Sequence, residues 1–221
     1  DEALGVYVAG QGTATKISSR ALDKALKKIS DPSVIELEQR ADDDERRLLV
    51  HLPHETWVFC ETASGYFKQR VWYRAASRRG ETYRLRNATF VNGAWYCDDT
   101  QSAMVGELRD DVSSHFGEPV EWHFDGPMIE NDGNPFQLDS IELIGLPGRQ
   151  PHGEKAVMFL SWSRDGETFG REMALSPILA GQRTFKMQWR PRVRFPTSCI
   201  LRFRGYDTAL SGFAKIAEKL S

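Results

Sequence analysis

Cysteine is scarce: the 221 residues hold only Cys60, Cys97 and Cys199, far apart and odd in number. Without CxxC spacing they exclude a disulfide framework and a zinc knuckle, and they fit synthesis in a reducing, cytoplasmic compartment. No window approaches the roughly 18 consecutive apolar residues of a membrane span, so no membrane partner is expected. The chain opens DEALGVYVAG, with neither an initiator methionine nor a basic segment leading into an apolar run. The expectation is a soluble piece of a longer chain. Acid is missing from one long stretch: between Met173 and Tyr206 there is no Asp or Glu, while Arg183, Lys186, Arg190, Arg192, Arg194, Arg202 and Arg204 stand there. The formal net charge of the whole chain is only −2, so the remainder is net acidic and charge is segregated along the sequence.

Catalytic signatures are equally sparse. HLPHETW offers His51, His54 and Glu55, but a zinc-protease helix needs a second histidine where Val58 stands, and Pro53 interrupts any helix there. A hairpin corner is the simpler expectation. His115, His123 and His152 are scattered, with no Cys or carboxylate at ligand spacing. GQGTATK, Gly10 to Lys16, lacks the spacer and the Lys-Ser/Thr ending of a phosphate loop, and reads as a loop. The pairs Asp98-Asp99 and Asp110-Asp111 put adjacent carboxylates on opposite faces of a strand, unlike a glycosidase pair, and read as solvated turns. No nucleophile elbow occurs. No enzymatic activity, cofactor or metal is expected.

What is present is mainly strand pattern. ISSRALDKALKKISDP is the exception: Ser18 or Ser19 can cap a helix over about residues 18–30 whose stripe is Ala21, Leu22, Ala25, Leu26 and Ile29, with Asp23 and Lys27 as an i,i+4 pair. Short strands follow, with turn signals about every ten residues. A hairpin is expected across the acidic turn ADDDE, and Asn92-Gly93 marks a two-residue hairpin. Four-stranded meanders of this kind make propeller-like blades. From Gly117 the strands lengthen, and the Pro/Gly-rich PGRQPHGE separates two of them. The expected fold is all-β, with propeller-like blades and one inserted helix over residues 1–116 and a β-sandwich-like domain over 117–221. That second domain is expected to end in a short amphipathic helix or frayed tail, SGFAKIAEKLS.

TFKMQWRPRVRF, residues 184–195, is the sharpest feature. Phe185, Met187, Trp189, Pro191, Val193 and Phe195 alternate with Lys186, Gln188, Arg190, Arg192 and Arg194, so an extended chain carries one apolar and one basic face. Arg202 and Arg204, on what the pattern suggests is the neighbouring strand, lengthen the patch. Its readings are the solvent face of a half-buried strand, a protein interface, or a phosphate-binding module over residues 183–194; the alternation turns the aromatics away from the arginines and weakens base stacking. In SWSRDGETF, Ser163, Asp165, Gly166, Thr168 and Phe169 match a propeller Asp-box only with a residue missing from the spacing, and an Asp-Gly hairpin turn explains the same letters. A propeller-type carbohydrate-binding or carbohydrate-hydrolysing protein is the remaining alternative.

Taken in order, ATKISSRALDKAL, RRLLVHLPHETWVF, VWYRAAS, GAWYCDDTQSAMVGELRDDVSSHFGEPVEW and MFLSWSRDGETFGREMAL followed by FKMQWRPRVRF resemble the packaged-DNA stabilisation proteins of short-tailed phages, also called tail accessory factors or tail hub proteins. The most specific pieces are the hLPxxTWVF hairpin, the turn at Gly106 to Leu108 and the hairpin from Ser163 to Glu172. The resemblance runs over nearly the whole chain and corresponds to the C-terminal part of a longer family member. One departure is Cys60, where the resemblance leads us to expect Asp. The resemblance implies a virion structural protein, free or prophage-borne. It would bind below the portal as a ring, six-membered by family likeness, extend the tail tube, help retain packaged DNA, and offer a platform to the needle plug and tailspikes. It implies location in the virion tail after synthesis in the host bacterial cytoplasm. A protein beside a DNA-filled channel gains from keeping a basic face off the lumen, because phosphate binding slows ejection. Lys186, Arg190, Arg192, Arg194, Arg202 and Arg204 are therefore expected to face protein, with no specific DNA binding.

Overall fold

The structure is a computed structural model; it describes residues 4–10, 12–41, 45–78, 82–109, 112–145, 155–175, 178–179, 181–182, 184–206 and 213–220, leaving aside the side chains of 155–156 and 213–214. PGRQPHGE and Asp110-Asp111 lie outside the described residues. Two compact units divide the chain, Asp1–Leu108 and Arg109–Ser221.

In the first unit β1 (Tyr7–Gly10) and β2 (Thr13–Lys16) form an antiparallel ribbon. The stretch GQGTATK is thus half strand rather than loop: β-branched Thr13 and Thr15 favour extended backbone, and Gly12, at φ +81°, makes the turn. Helix α1 (Arg20–Leu26) is capped by Ser19, whose Oγ accepts the Leu22 N–H at 3.2 Å. It ends earlier than its apolar stripe suggests, because Lys28 and Ile29 bond to the carbonyls three residues back, at 3.1 and 3.0 Å, and tighten the last turn. Asp23 does not pair with Lys27 as expected; its carboxylate takes Lys16 Nζ at 2.7 Å and the Ser18 hydroxyl at 2.6 Å. The buried face, Leu22, Ala25 and Leu26, packs with Val50 and Leu52 and with the half-buried Trp57 and Trp72.

Strands β3 (Glu36–Ala41), β4 (Arg46–His51), β5 (Thr56–Cys60) and β6 (Val71–Ala75) form a four-stranded antiparallel meander, the blade expected from the sequence. HLPHETW is the β4–β5 corner: the Leu52 N–H donates to the Glu55 carbonyl at 2.8 Å, and buried His51 bonds Thr56 Oγ1 at 3.0 Å. A second helix, α2 (Glu61–Phe67), unforeseen in the sequence, bridges β5 and β6. Its N-cap is Cys60, whose Sγ accepts the Ala63 N–H at 3.4 Å. An aspartate there would occupy a cap position, a place where short polar side chains are favoured.

The next sheet is β7 (Leu85–Val91), β8 (Ala94–Asp99) and β9 (Val105–Leu108). Asn92 and Gly93, at φ 51° and 85°, make the two-residue hairpin, since the favoured turn needs positive φ at both positions. Asp99 departs from the solvated turn expected of it. It is buried, and Arg84 forks onto it with Nε to Oδ1 at 2.9 Å and Nη2 to Oδ2 at 2.6 Å. The Gln101 N–H and Ser102 hydroxyl complete its shell.

The second unit begins with the hairpin β10 (Ser114–His115) and β11 (Glu118–Pro119), turning on Phe116 and Gly117 at φ 50° and 86°. Two sheets follow. One has the order β12 (Glu121–Glu130), β19 (Ser198–Tyr206), β14 (Lys155–Ser163), β15 (Met173–Ala174), with β16 (Ile178–Leu179) also on β14. The other is centred on β13 (Phe136–Gly145), with β17 (Met187–Trp189) and β18 (Val193–Phe195) along one edge and β20 (Phe213–Leu220) along the other. Alternate residues of both sheets, among them Leu138, Ile141, Leu160, Phe195, Leu201 and Phe203, meet in one buried core. Gly205 is required by close approach: a Cβ there would lie 2.5 Å from the Trp122 ring.

The expected C-terminal helix is instead strand β20, antiparallel to β13. Ile216 and Leu220 still pack on the core, so the apolar residues are used. The free edge of β13 supplies hydrogen-bond partners that an exposed short helix would lack.

The Arg84 fork holds Asp99 well below the usual carboxylate range, against the opposing effect of burial, with Ser102 and Gln101 adding to it. A carboxylate depressed in the folded state stabilises fully above its unfolded pKa of about 4 and loses that stabilisation as pH falls. Asp99→Asn is expected to lower the melting temperature at neutral pH and to flatten its decline between about pH 4 and pH 2. An unchanged acid slope in calorimetry would assign the acid sensitivity to other carboxylates.

Candidate interaction surface

The basic stretch is an edge strand broken in its middle. Ile141 pairs with Trp189 and Leu138 with Val193, so three residues, Arg190 to Arg192, oppose two of β13, Asp139 and Ser140. Such a bulge interrupts the ladder. Pro191 has no N–H to donate, and Arg192 stands at φ 50°. The alternation of faces survives the break: Met187, Trp189 and Phe195 are buried, while Lys186, Arg190, Arg192 and Arg194 are exposed. Lys186 Nζ lies 3.5 Å from Glu142, and Arg190 donates to the Gln188 side chain at 3.4 Å. Among the described residues, Arg190, Arg192 and Arg194 have no carboxylate partner. Charge, proline and a bulge on an edge also discourage strand addition by another sheet. Arg183 lies outside the described residues.

Arg202 and Arg204 do not extend this row. They sit on β19, in the opposite sheet, and point away from the core whose inward residues are Cys199, Leu201 and Phe203. Strand alternation specifies a face but says nothing of which sheet a strand joins. Arg202 forks onto Asp125 of β12 at 2.6 and 2.9 Å and lies 3.6 Å from the Phe169 ring centroid. Arg204 forks onto Glu172, with Nε to Oε1 at 2.7 Å, reaches Glu121 at 3.3 Å and stacks 4.3 Å above Phe159. These charge-assisted forks hold Asp125 below the ordinary carboxylate range and raise both guanidinium groups above theirs.

The hairpin between β14 and β15 supplies two of those partners. Its turn is built by side chains: Ser163 Oγ accepts the Gly166 N–H at 2.9 Å and donates to Asp165 Oδ1 at 2.7 Å. Asp165 Oδ1 in turn accepts the Glu167 and Thr168 N–H groups at 2.9 and 2.8 Å. The Ser163 hydroxyl and these two amides hold Asp165 far below its ordinary pKa. Phe169 and Glu172 then fall beneath Arg202 and Arg204. Sequence reasoning missed Arg164, which belongs with the exposed row: it donates to the Arg194 carbonyl at 3.5 Å and lies 5.9 Å from the Phe195 ring. Its only signal was its place in the Ser163–Glu172 hairpin.

The basic residues thus divide into a clamped pair and an exposed row, with different energetic consequences. Arg204→Met is expected to destabilise the fold by about 2–3 kcal/mol, because it leaves two carboxylates facing an uncharged group. Arg190→Met is expected to stay within about 0.5 kcal/mol of wild type. Urea unfolding of the two variants checks this, and equal costs would contradict the division.

Two family models match the chain in sequence order. Residues 1–113 match that of Bacteriophage P22 Gp10, beta-propeller, and residues 121–219 that of Bacteriophage P22 Gp10, beta-sandwich. The tail hub protein gp10 of Salmonella phage P22 is 23% identical over 175 residues, which is 78% of this chain and 36% of that protein. The chain therefore spans about a third of the length of that relative, at 36%. A propeller-type meander followed by a two-sheet sandwich agrees with both matches, and the chain belongs to the Bacteriophage P22 Gp10 family.

Proposed function

We propose that this chain is part of a non-enzymatic tail hub protein of a phage virion. In this reading it assembles with further copies as a ring below the portal, extends the tail tube, helps keep packaged DNA from leaking, and carries the needle plug and tailspikes. The observation that carries the reading is the ordered pair of family matches across both units, with a relative named as a tail hub protein. The chemistry of the side chains is compatible with it. The carboxylates held lowest, Asp99 and Asp165, are occupied by a fork and by a turn. Lys186, Arg190, Arg192 and Arg194 remain on an exposed edge, where complementary charge raises the association rate and fixes register on an acidic protein surface. The aromatic residues of that edge, Trp189 and Phe195, are buried in the core, which removes a stacking platform for bases.

The test is a pull-down of the full-length, nuclease-treated protein on the purified portal ring of its own phage, comparing wild type with Arg190→Glu, Arg192→Glu and Arg194→Glu combined. Wild type is expected to bind, and the folded triple variant to lose at least about tenfold in affinity, the equivalent of about 1.4 kcal/mol. Absence of specific binding by either form would remove the portal as partner.

A further inference from the structure

We propose that the exposed basic edge binds an extended, acidic segment of a partner protein, and that one large apolar side chain of that segment inserts into a groove beside the edge. The inference rests on the reading of this edge as protein-facing, and adds the partner's chemistry and its anchor point.

The groove is open, has a volume of about 470 Å³ and is lined by Trp162, Arg171, Glu172, Met173 and Ala174. Both halves of the basic edge contact the hairpin that lines it. On one side the Met173 carbonyl accepts the Trp189 indole N–H at 3.1 Å, and Arg190 is the next residue. On the other, Arg164 follows the end of β14 two residues after Trp162, lies 5.9 Å from the Phe195 ring and donates to the Arg194 carbonyl at 3.5 Å. Of the two charged residues that line the groove, only the cation is without an ion pair among the described residues. Its single acid, Glu172, is taken up by Arg204, while Arg171 and Arg192 are exposed and, among the described residues, have no ion pair. Carboxylates are the complementary chemistry, and arginine forks bind them in pairs.

The backbone excludes a simpler mode. Pro191 and the left-handed Arg192 break the outer ladder, so an incoming segment cannot add as a continuous strand. Binding must come from side chains. Exposed ion pairs alone contribute little, and affinity concentrates where a large side chain fills a desolvated pocket ringed by polar contacts. The groove offers the apolar side chains of Trp162 and Met173 beside that edge.

The experiment uses fluorescence anisotropy on the full-length protein with labelled peptides of alternating glutamate and serine, one carrying a central tryptophan and the other alanine in its place. A labelled DNA duplex serves as a third probe. Wild type is expected to bind the tryptophan peptide about tenfold more tightly than the alanine peptide. Ala174→Phe, on the exposed side of the groove, and separately Arg171→Glu, are expected to reduce that preference. The Arg190, Arg192 and Arg194 charge reversal is expected to weaken both peptides at least about tenfold. Equal binding of the two peptides to wild type overturns the anchor and leaves the protein-facing edge standing. Binding of DNA with no binding of either peptide overturns both. Melting curves of each variant separate lost binding from lost fold.

Discussion

The two arginine forks on β19 are the interaction on which the sandwich depends. Arg202 and Arg204 each place a planar guanidinium between a carboxylate and an aromatic face: Asp125 and Phe169 for the first, Glu172 and Phe159 for the second. Cysteine, leucine and phenylalanine on the same strand point inward to the core, so β19 is anchored on both faces. Through the forks it holds β12 on one side and the hairpin after β14 on the other. Partly buried charge of this kind is costly to separate and is tolerated because each guanidinium finds both donors' worth of acceptors. The turn at Ser163 and Asp165 is shaped accordingly, since it delivers Phe169 and Glu172 to their positions.

Because those two arginines are satisfied within one sheet, the basic row left for a partner runs along the edge of the other. The edge formed by β17 and β18 keeps its apolar residues in the core and its cations outside, and Arg164 joins them across the opening between the sheets. Proline and the left-handed arginine keep this edge from pairing with another sheet. It is therefore suited to side-chain recognition of an acidic surface, a contact whose rate and register are governed by charge.

Much of this was legible in the sequence because it is local. Alternation gave the two faces of residues 184–195, Asn92-Gly93 gave its hairpin, and Ser18-Ser19 gave the cap of α1, of which the structure uses Ser19. The family pieces quoted from the hairpins gave the architecture. What was misread depends on partners distant in the chain. Phe213, Ile216, Ala217 and Leu220 are spaced as on a helix, yet the open edge of β13 draws the segment into a strand. Asp99 sits in a run that reads as a turn, until Arg84 from the preceding strand region closes on it. Helix α2 carries Ser64 and Gly65, weak helix formers, and its cap is a cysteine, so no local signal announced it. Arg202 and Arg204 were placed beside the basic row because a sequence window cannot tell which of two sheets a strand joins.

The most direct test of the central claim is a cryo-electron microscopy reconstruction of the virion tail that contains the full-length protein, with side chains resolved around residues 186–194. The account predicts that Arg190, Arg192 and Arg194 lie against an acidic protein surface, while Arg202 and Arg204 keep their forks to Asp125 and Glu172. An edge open to the DNA-filled lumen, with its arginines on phosphates, would contradict it.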